Sequence, residues 1–172
     1  MITSLNIGVS ASKPLPPDIE LKLEVNSRFL SGPGYVLPVI VQTPSILCAP
    51  PLKKQLKTAT VIALLDTGAS RTSISDVIAK NLELEPVGFS SIATAAGPKV
   101  FPDYAVDILF PNSSMENFID IMVCSCHLPY KSNPSGGDVM AASNIGVLIG
   151  RDIMARWNIV WHGPSSSVFI SD

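Results

Sequence analysis

Apolar residues along this chain come in short runs, and their period separates strands from helices. Thr58 to Leu65 (TATVIALL) is unbroken, β-prone and apolar, the pattern of a strand buried on both faces. Ile145 to Ile149 (IGVLI) repeats it. Tyr35 to Thr43 (YVLPVIVQT) reads as a strand whose internal Pro38 places it at a sheet edge, because proline cannot donate to a ladder. Phe118 to Cys124 (FIDIMVC) is a further strand, and Asp18 to Val25 (DIELKLEV) alternates as a peripheral strand does. Phe89–Ala95 and Lys99–Phe110 flank Ala96-Gly97-Pro98 and predict a hairpin. After Ser75 the spacing of Ile78 and Leu82 predicts a short helix, with Ser75 as cap and Asp76 in its first turn. A second short helix follows Gly150-Arg151-Asp152 through Trp157, and strands near Asn158–His162 and Val168–Ser171 finish the chain. Ser31-Gly32-Pro33-Gly34 is a turn, and Pro44–Lys57 and the polar stretch Pro129–Ser143 are loops. Many short strands with one or two short helices make the chain all-β.

Composition narrows the function. The 172 residues suit one domain able to bury a core without metals or disulfides. We divide them into an N-terminal extension, 1–34, partly flexible, and a main domain, 35–172. A formal net charge of −2 carries no electrostatic footprint for nucleic acid. Lys53, Lys54 and Lys57 form the one basic cluster, read as a solvated loop. MITSLNIGVSAS has no basic n-region or apolar h-region, so no secretion signal is expected there. No apolar run reaches the length of a membrane span. Three cysteines, an odd number, argue for free thiols in a reducing cytoplasm rather than a disulfide framework. Cys124-Ser125-Cys126-His127 lacks the spacing and the second Cys/His pair of a zinc knuckle. Strand alternation puts Cys124 and Cys126 on one face as small apolar residues, and no metal is expected.

The chemistry concentrates at Asp66. A carboxylate directly after Val61-Ile62-Ala63-Leu64-Leu65 sits where ionisation is disfavoured unless the group is paired, hydrogen-bonded or protonated. Thr67 adds a hydroxyl, and Gly68 lets the backbone approach the carboxylate closely. Taken alone, Asp-Thr-Gly is equally an Asx-type turn at a strand end.

Val61 to Ser75, VIALLDTGASRTSIS, resembles the catalytic segment of retropepsin-like aspartic proteases, and Leu148-Ile149-Gly150-Arg151-Asp152-Ile153 resembles the second hallmark of that family. Ala96 and Gly97, between them, fall where the family has its flap. The resemblance spans roughly residues 35 to 171 and looks closer to cellular and bacterial members than to compact retroviral ones. It implies a closed acid-protease barrel working as a homodimer, without a cofactor. Asp66 is then the catalytic aspartate, Thr67 locks the two active-site loops together, and Gly68, followed by Ala69, places its amide beside the carboxylate and substrate. Two aspartates then share a proton, since carboxylates so close cannot both ionise, and hold a water that attacks a peptide lying extended under the flap. The chain has nine aspartates, and only Asp66 precedes a hydroxyl residue and then glycine, so a second copy must supply the second carboxylate. Val168–Ser171 is the strand expected to add intersubunit pairing, and Pro129–Ser143 the second cleft wall.

One position departs from the pattern. Many retroviral members carry an acid two residues beyond the catalytic glycine, paired with the arginine of the second motif; here that position is Ser70. Arg151 must bond elsewhere, to Asp76, to Asp152 of a neighbouring copy or to backbone carbonyls, as a structural donor. Asp152 is expected as a helix-start acid. The competing function is a retropepsin fold kept as a peptide-binding or dimerisation module without turnover. A glycosidase is disfavoured because the chain lacks cleft aromatics in number.

Overall fold

The computed structural model describes residues 23–26, 34–50, 52, 54–94, 97–128, 130, 144–162 and 167–172. Their order is β1 (Leu23–Asn26), β2 (Val36–Gln42), α1 (Ser45–Cys48), β3 (Thr58–Leu65), β4 (Ser73–Ser75), α2 (Asp76–Asn81), β5 (Gly88–Thr94), β6 (Gly97–Leu109), β7 (Phe118–Cys126), β8 (Ile145–Ile149), α3 (Arg151–Met154), β9 (Asn158–His162) and β10 (Ser167–Ser171). Residues 18–22 of the expected first strand, 31–33 of the turn, Lys53, Ala95, Ala96 and the loop 129–143 apart from Tyr130 lie outside the described residues.

The all-β expectation holds, and the main sheet closes on itself. Its order is β2-β3-β8-β4-β7-β6-β5, with a further pairing of β2 to β6. Six strands therefore form a barrel, and β5 extends from it as the outer arm of a hairpin. Closure corrects the edge position expected for β2: Ile40, Val41 and Gln42 pair with Leu109, Ile108 and Asp107. Pro38 is tolerated because it lies before that contact, where β2 has only β3 beside it. Val39, Val41, Val61, Ala63, Ile74, Val106, Ile108, Val123, Val147 and Ile149 fill the interior. The expected helix over Ser75–Leu82 forms as α2, with Ser75 Oγ accepting the Val77 N–H and Ile78 and Leu82 buried.

A second, three-stranded sheet has the order β1-β10-β9. Both backbone edges of β10 are used within the chain, by β1 and by β9. This overturns β10 as the strand for intersubunit pairing. Trp157 after α3 packs edge-on against Phe110 at 5.5 Å and fixes that helix to the barrel.

Ser45–Cys48, expected as loop, makes a single helical turn because a distant acid organises it. Asp107, fully buried, accepts from the Ser45 N–H at 2.9 Å, Gln42 Nε2 at 3.0 Å and the Asp120 N–H at 2.9 Å. Burial opposes the charge, but these bonds outweigh it and hold the carboxyl below its ordinary 3.8. A lowered folded pKa contributes stability that is complete above the ordinary value and lost as pH falls through the folded one. Asp107→Asn is expected to cost about 1–3 kcal/mol at neutral pH, a gap that narrows below about pH 4. Thermal unfolding of both proteins across a pH series checks this.

Candidate active site

The site follows from strand order. β8 lies between β3 and β4, running parallel to β3 with Leu65 beside Ile149 and antiparallel to β4. Asp66 and Gly150 therefore emerge side by side from neighbouring parallel strands. The connection from β3 to β4, residues 66–72, has to cross the end of β8. It crosses directly over Gly150, where an added Cβ would lie 2.4 Å from the Arg71 carbonyl carbon and 2.7 Å from Thr72 N.

The two sequence motifs are bonded into one unit at this crossing. The Asp66 N–H donates to Ile149 O at 3.0 Å, and the Arg151 N–H to Ala69 O at 3.0 Å. The Gly150 N–H donates to Thr72 Oγ1 at 3.0 Å. Asp152 accepts from Thr72 N at 2.9 Å, from Thr72 Oγ1 at 2.8 Å and from its own helix at Ile153 N at 2.9 Å. Arg151 finds the third of its expected partners, backbone carbonyls: Nη1 donates to Thr67 O at 2.8 Å and lies 3.4 Å from Gly68 O. The missing acid at Ser70 is thus replaced by main-chain oxygens of the loop itself.

Within the loop, Asp66 Oδ1 accepts the Gly68 N–H at 2.9 Å and the Ala69 N–H at 3.3 Å. That is the Asx-type turn. No hydrogen bond reaches Oδ2 among the described residues. The burial expected of Asp66 is not complete in a single chain: it is half-exposed, Thr67 and Gly68 are exposed, and Ala69 is half-buried. The reason is that the apolar run ends at Leu65, and Asp66 starts a loop facing an open hollow lined by Gly34, Tyr35, Leu64 and Trp161. Trp161, 43% exposed, stacks edge-on to Tyr35 at 4.7 Å on the rim of that hollow. A second hollow, lined in part by Leu47, Leu82, Leu84 and Val87, contains neither motif, and its Lys54–Glu85 and Lys57–Glu83 charges are paired.

Among solved structures the chain is similar to one described as a retropepsin-like aspartic protease from Rickettsia conorii. Identity is 10%, the TM-score is 0.49, and the match covers 87% of this chain and 88% of that one. No protein-family model matches the chain, and no curated protein matches it in sequence.

The hairpin forms in the expected place, with Thr94 paired to Gly97 and Gly88 to Asp103. Gly97 has φ +99°, a conformation that favours glycine, and nothing lies within 4 Å of the position its Cβ would take. Phe89 and Val100 are 71% and 69% exposed, and the register puts them on one face of the hairpin with Ser91 and Pro102. Sequence reasoning missed what ties this hairpin down. Arg71, five residues beyond Asp66, donates to Ser90 Oγ of β5 and lies 3.2 Å from Asp103 Oδ1 of β6. The available signal was Asp103 itself, an acid amid the apolar run Val100–Val106, which requires a partner when buried.

Cys124 is buried with its thiol 2.9 Å from Ser73 Oγ, while Cys126 is half-buried. Burial, then the nearby Cys124, pushes the Cys126 thiol up to about 11. His127 is exposed 3.5 Å from Asp76.

Proposed function

We propose that this chain is one half of a two-copy aspartic endopeptidase that hydrolyses peptide bonds through a water held between two copies of Asp66. The observation that carries the reading is the crossing of loop 66–72 over Gly150. It immobilises the Asp-Thr-Gly turn on the Gly-Arg-Asp segment through at least five hydrogen bonds, yet leaves Asp66 half-exposed, with Oδ2 unengaged among the described residues. A rigidly held carboxylate at an open surface suits a group that completes its site with a second copy.

About a C2 axis each residue lies near its own copy, so two Asp66 side chains meet and Thr67, exposed beside them, bonds across. The free edge that fits intersubunit pairing is now β9, which among the described residues pairs on one side only and brings Trp161 to the rim of the Asp66 hollow. With one proton shared by the pair, one carboxylate takes a proton from the water as its oxygen bonds to the peptide carbonyl carbon. The other carboxyl protonates the carbonyl oxygen. Collapse of the gem-diol breaks the C–N bond: the leaving nitrogen takes up the proton held by the first aspartate, and the second takes a proton from one diol hydroxyl, which becomes the product carbonyl and restores the shared proton. The substrate lies extended beneath the β5–β6 hairpin, which acts as the flap with Gly97 near its tip. No metal or cofactor enters. The peptidase unit is residues 35–172, with 1–34 an extension that lends β1 to β10. Among the described residues no helix is long and apolar enough to cross a membrane, and all three cysteines are free, which fits a reducing cytoplasm.

The test is incubation of the purified chain with an unfolded polypeptide, with and without a transition-state-mimicking aspartic-peptidase inhibitor. Inhibitor-sensitive cleavage that falls off on both sides of an optimum below neutral pH is the expected result. Peptide binding without cleavage at any pH would indicate a silent binding module instead.

A further inference from the structure

Resting on the peptidase reading, we infer that Arg71 is a positioning residue that latches the root of the β5–β6 hairpin to the Asp66 loop and thereby sets how the hairpin closes on substrate. The main chain of Arg71 and Thr72 is clamped from two sides. Gly150 packs against it without room for a Cβ, and Asp152 takes both the N–H and the hydroxyl of Thr72. From this fixed point the Arg71 guanidinium reaches out to both strands of the hairpin at once. It donates to Ser90 Oγ on β5 and pairs with Asp103 Oδ1 on β6 at 3.2 Å. Ser90 Oγ in turn donates to Asp103 Oδ2 at 2.5 Å, linking the two strands to each other. Asp103 is 3% exposed, and Oδ1 takes no hydrogen bond, so the nearby guanidinium is what balances it.

The geometry of the ladder gives the latch its consequence. Gly88 pairs with Asp103 at the root and Thr94 with Gly97 at the tip, so the hairpin is held at one end. Beyond the root, Phe89 and Val100 project on a face that is mostly exposed. Its angle to the Asp66 loop is therefore fixed where Arg71 grips it. A planar, five-donor guanidinium can hold two strands together; an ammonium can balance the charge but not bridge both with the same geometry.

Arg71→Met alone would strand the Asp103 charge, so the test pairs it with a neutral partner. In Arg71→Met/Asp103→Asn, and separately in Ser90→Ala, amide hydrogen exchange of the full chain is read at 88–91 and 100–103 against β3 at 60–65. Exchange at the hairpin root is expected to rise about tenfold or more, with β3 unchanged. KM for a peptide is expected to rise by roughly tenfold, with a smaller fall in kcat. Arg71→Lys should retain the wild-type Tm yet show the faster root exchange. Equal exchange changes in the root and in β3, or none in either, would overturn the latch. Wild-type protein without peptidase activity would instead count against the peptidase reading, and the exchange data would still decide the latch.

Discussion

Replacing Asp66 by Asn is expected to lower peptide hydrolysis by roughly 10³-fold or more, the scale of losing a general base in the reaction. The fold should survive, because an amide oxygen can still accept the Gly68 and Ala69 N–H bonds that Asp66 Oδ1 now receives at 2.9 and 3.3 Å. What it cannot do is take a proton from water. Asp66→Ala would add a second defect by taking the acceptor from both loop amides, at about 1 kcal/mol because water can replace it at exposed Gly68 and half-buried Ala69. Comparing initial rates and melting temperatures of the two variants separates chemistry from structure. Wild-type rates in purified Asp66→Asn would remove Asp66 from the mechanism.

The largest structural effect is expected at Gly150. Its φ is −86°, open to any residue, so glycine is required there for space and not for backbone freedom. A methyl group would sit 2.4 Å from the Arg71 carbonyl carbon and 2.7 Å from both Arg71 O and Thr72 N. Those are main-chain atoms, and no rotamer change relieves them. The loop that crosses β8 would have to lift, taking with it the Thr72–Asp152 and Ala69–Arg151 bonds. Gly150→Ala should therefore cost about 3 kcal/mol, or roughly 10 °C in Tm, and Gly150→Val more. Activity should fall with it, since Asp66 rides on the same loop. Gly97→Ala is the control: the added methyl meets nothing, and only the positive φ is strained, at about 1 kcal/mol. Thermal unfolding of the three variants is the check. A Gly150→Ala protein as stable as Gly97→Ala would contradict the crossing geometry.

Much of the frame was legible because it rests on local pattern. Thr58–Leu65 and Ile145–Ile149 form strands with the predicted bounds, since an apolar β-branched run has few other ways to be buried. The Ser75 cap was readable for the same reason: its oxygen bonds two residues along the chain. What escaped was decided by long-range contacts. Pro38 marks an edge by local rule, and only the closing of β2 onto β6 overrides it. The turn at Ser45–Cys48 is organised by Asp107, 62 residues away. Val168–Ser171 looks like a free terminal strand until β1 and β9 are seen on either side of it. Arg71 and Asp103 read as unrelated charges until the hairpin folds back over the loop. At the site itself, the loop from Asp66 and the segment from Gly150 are bonded to each other. The exposure of Asp66 follows from the apolar run stopping one residue earlier, at Leu65.

The central claim is that each working site contains two copies of Asp66, and subunit mixing tests it most directly. Wild-type chains at fixed concentration are mixed with increasing amounts of Asp66→Asn chains, allowed to exchange, and assayed. If both carboxylates act, only wild-type pairs are active, so activity per total chain falls as the square of the wild-type fraction. Activity that tracks the wild-type fraction linearly, undiminished by the inactive chains, would mean that one Asp66 suffices and would contradict the account.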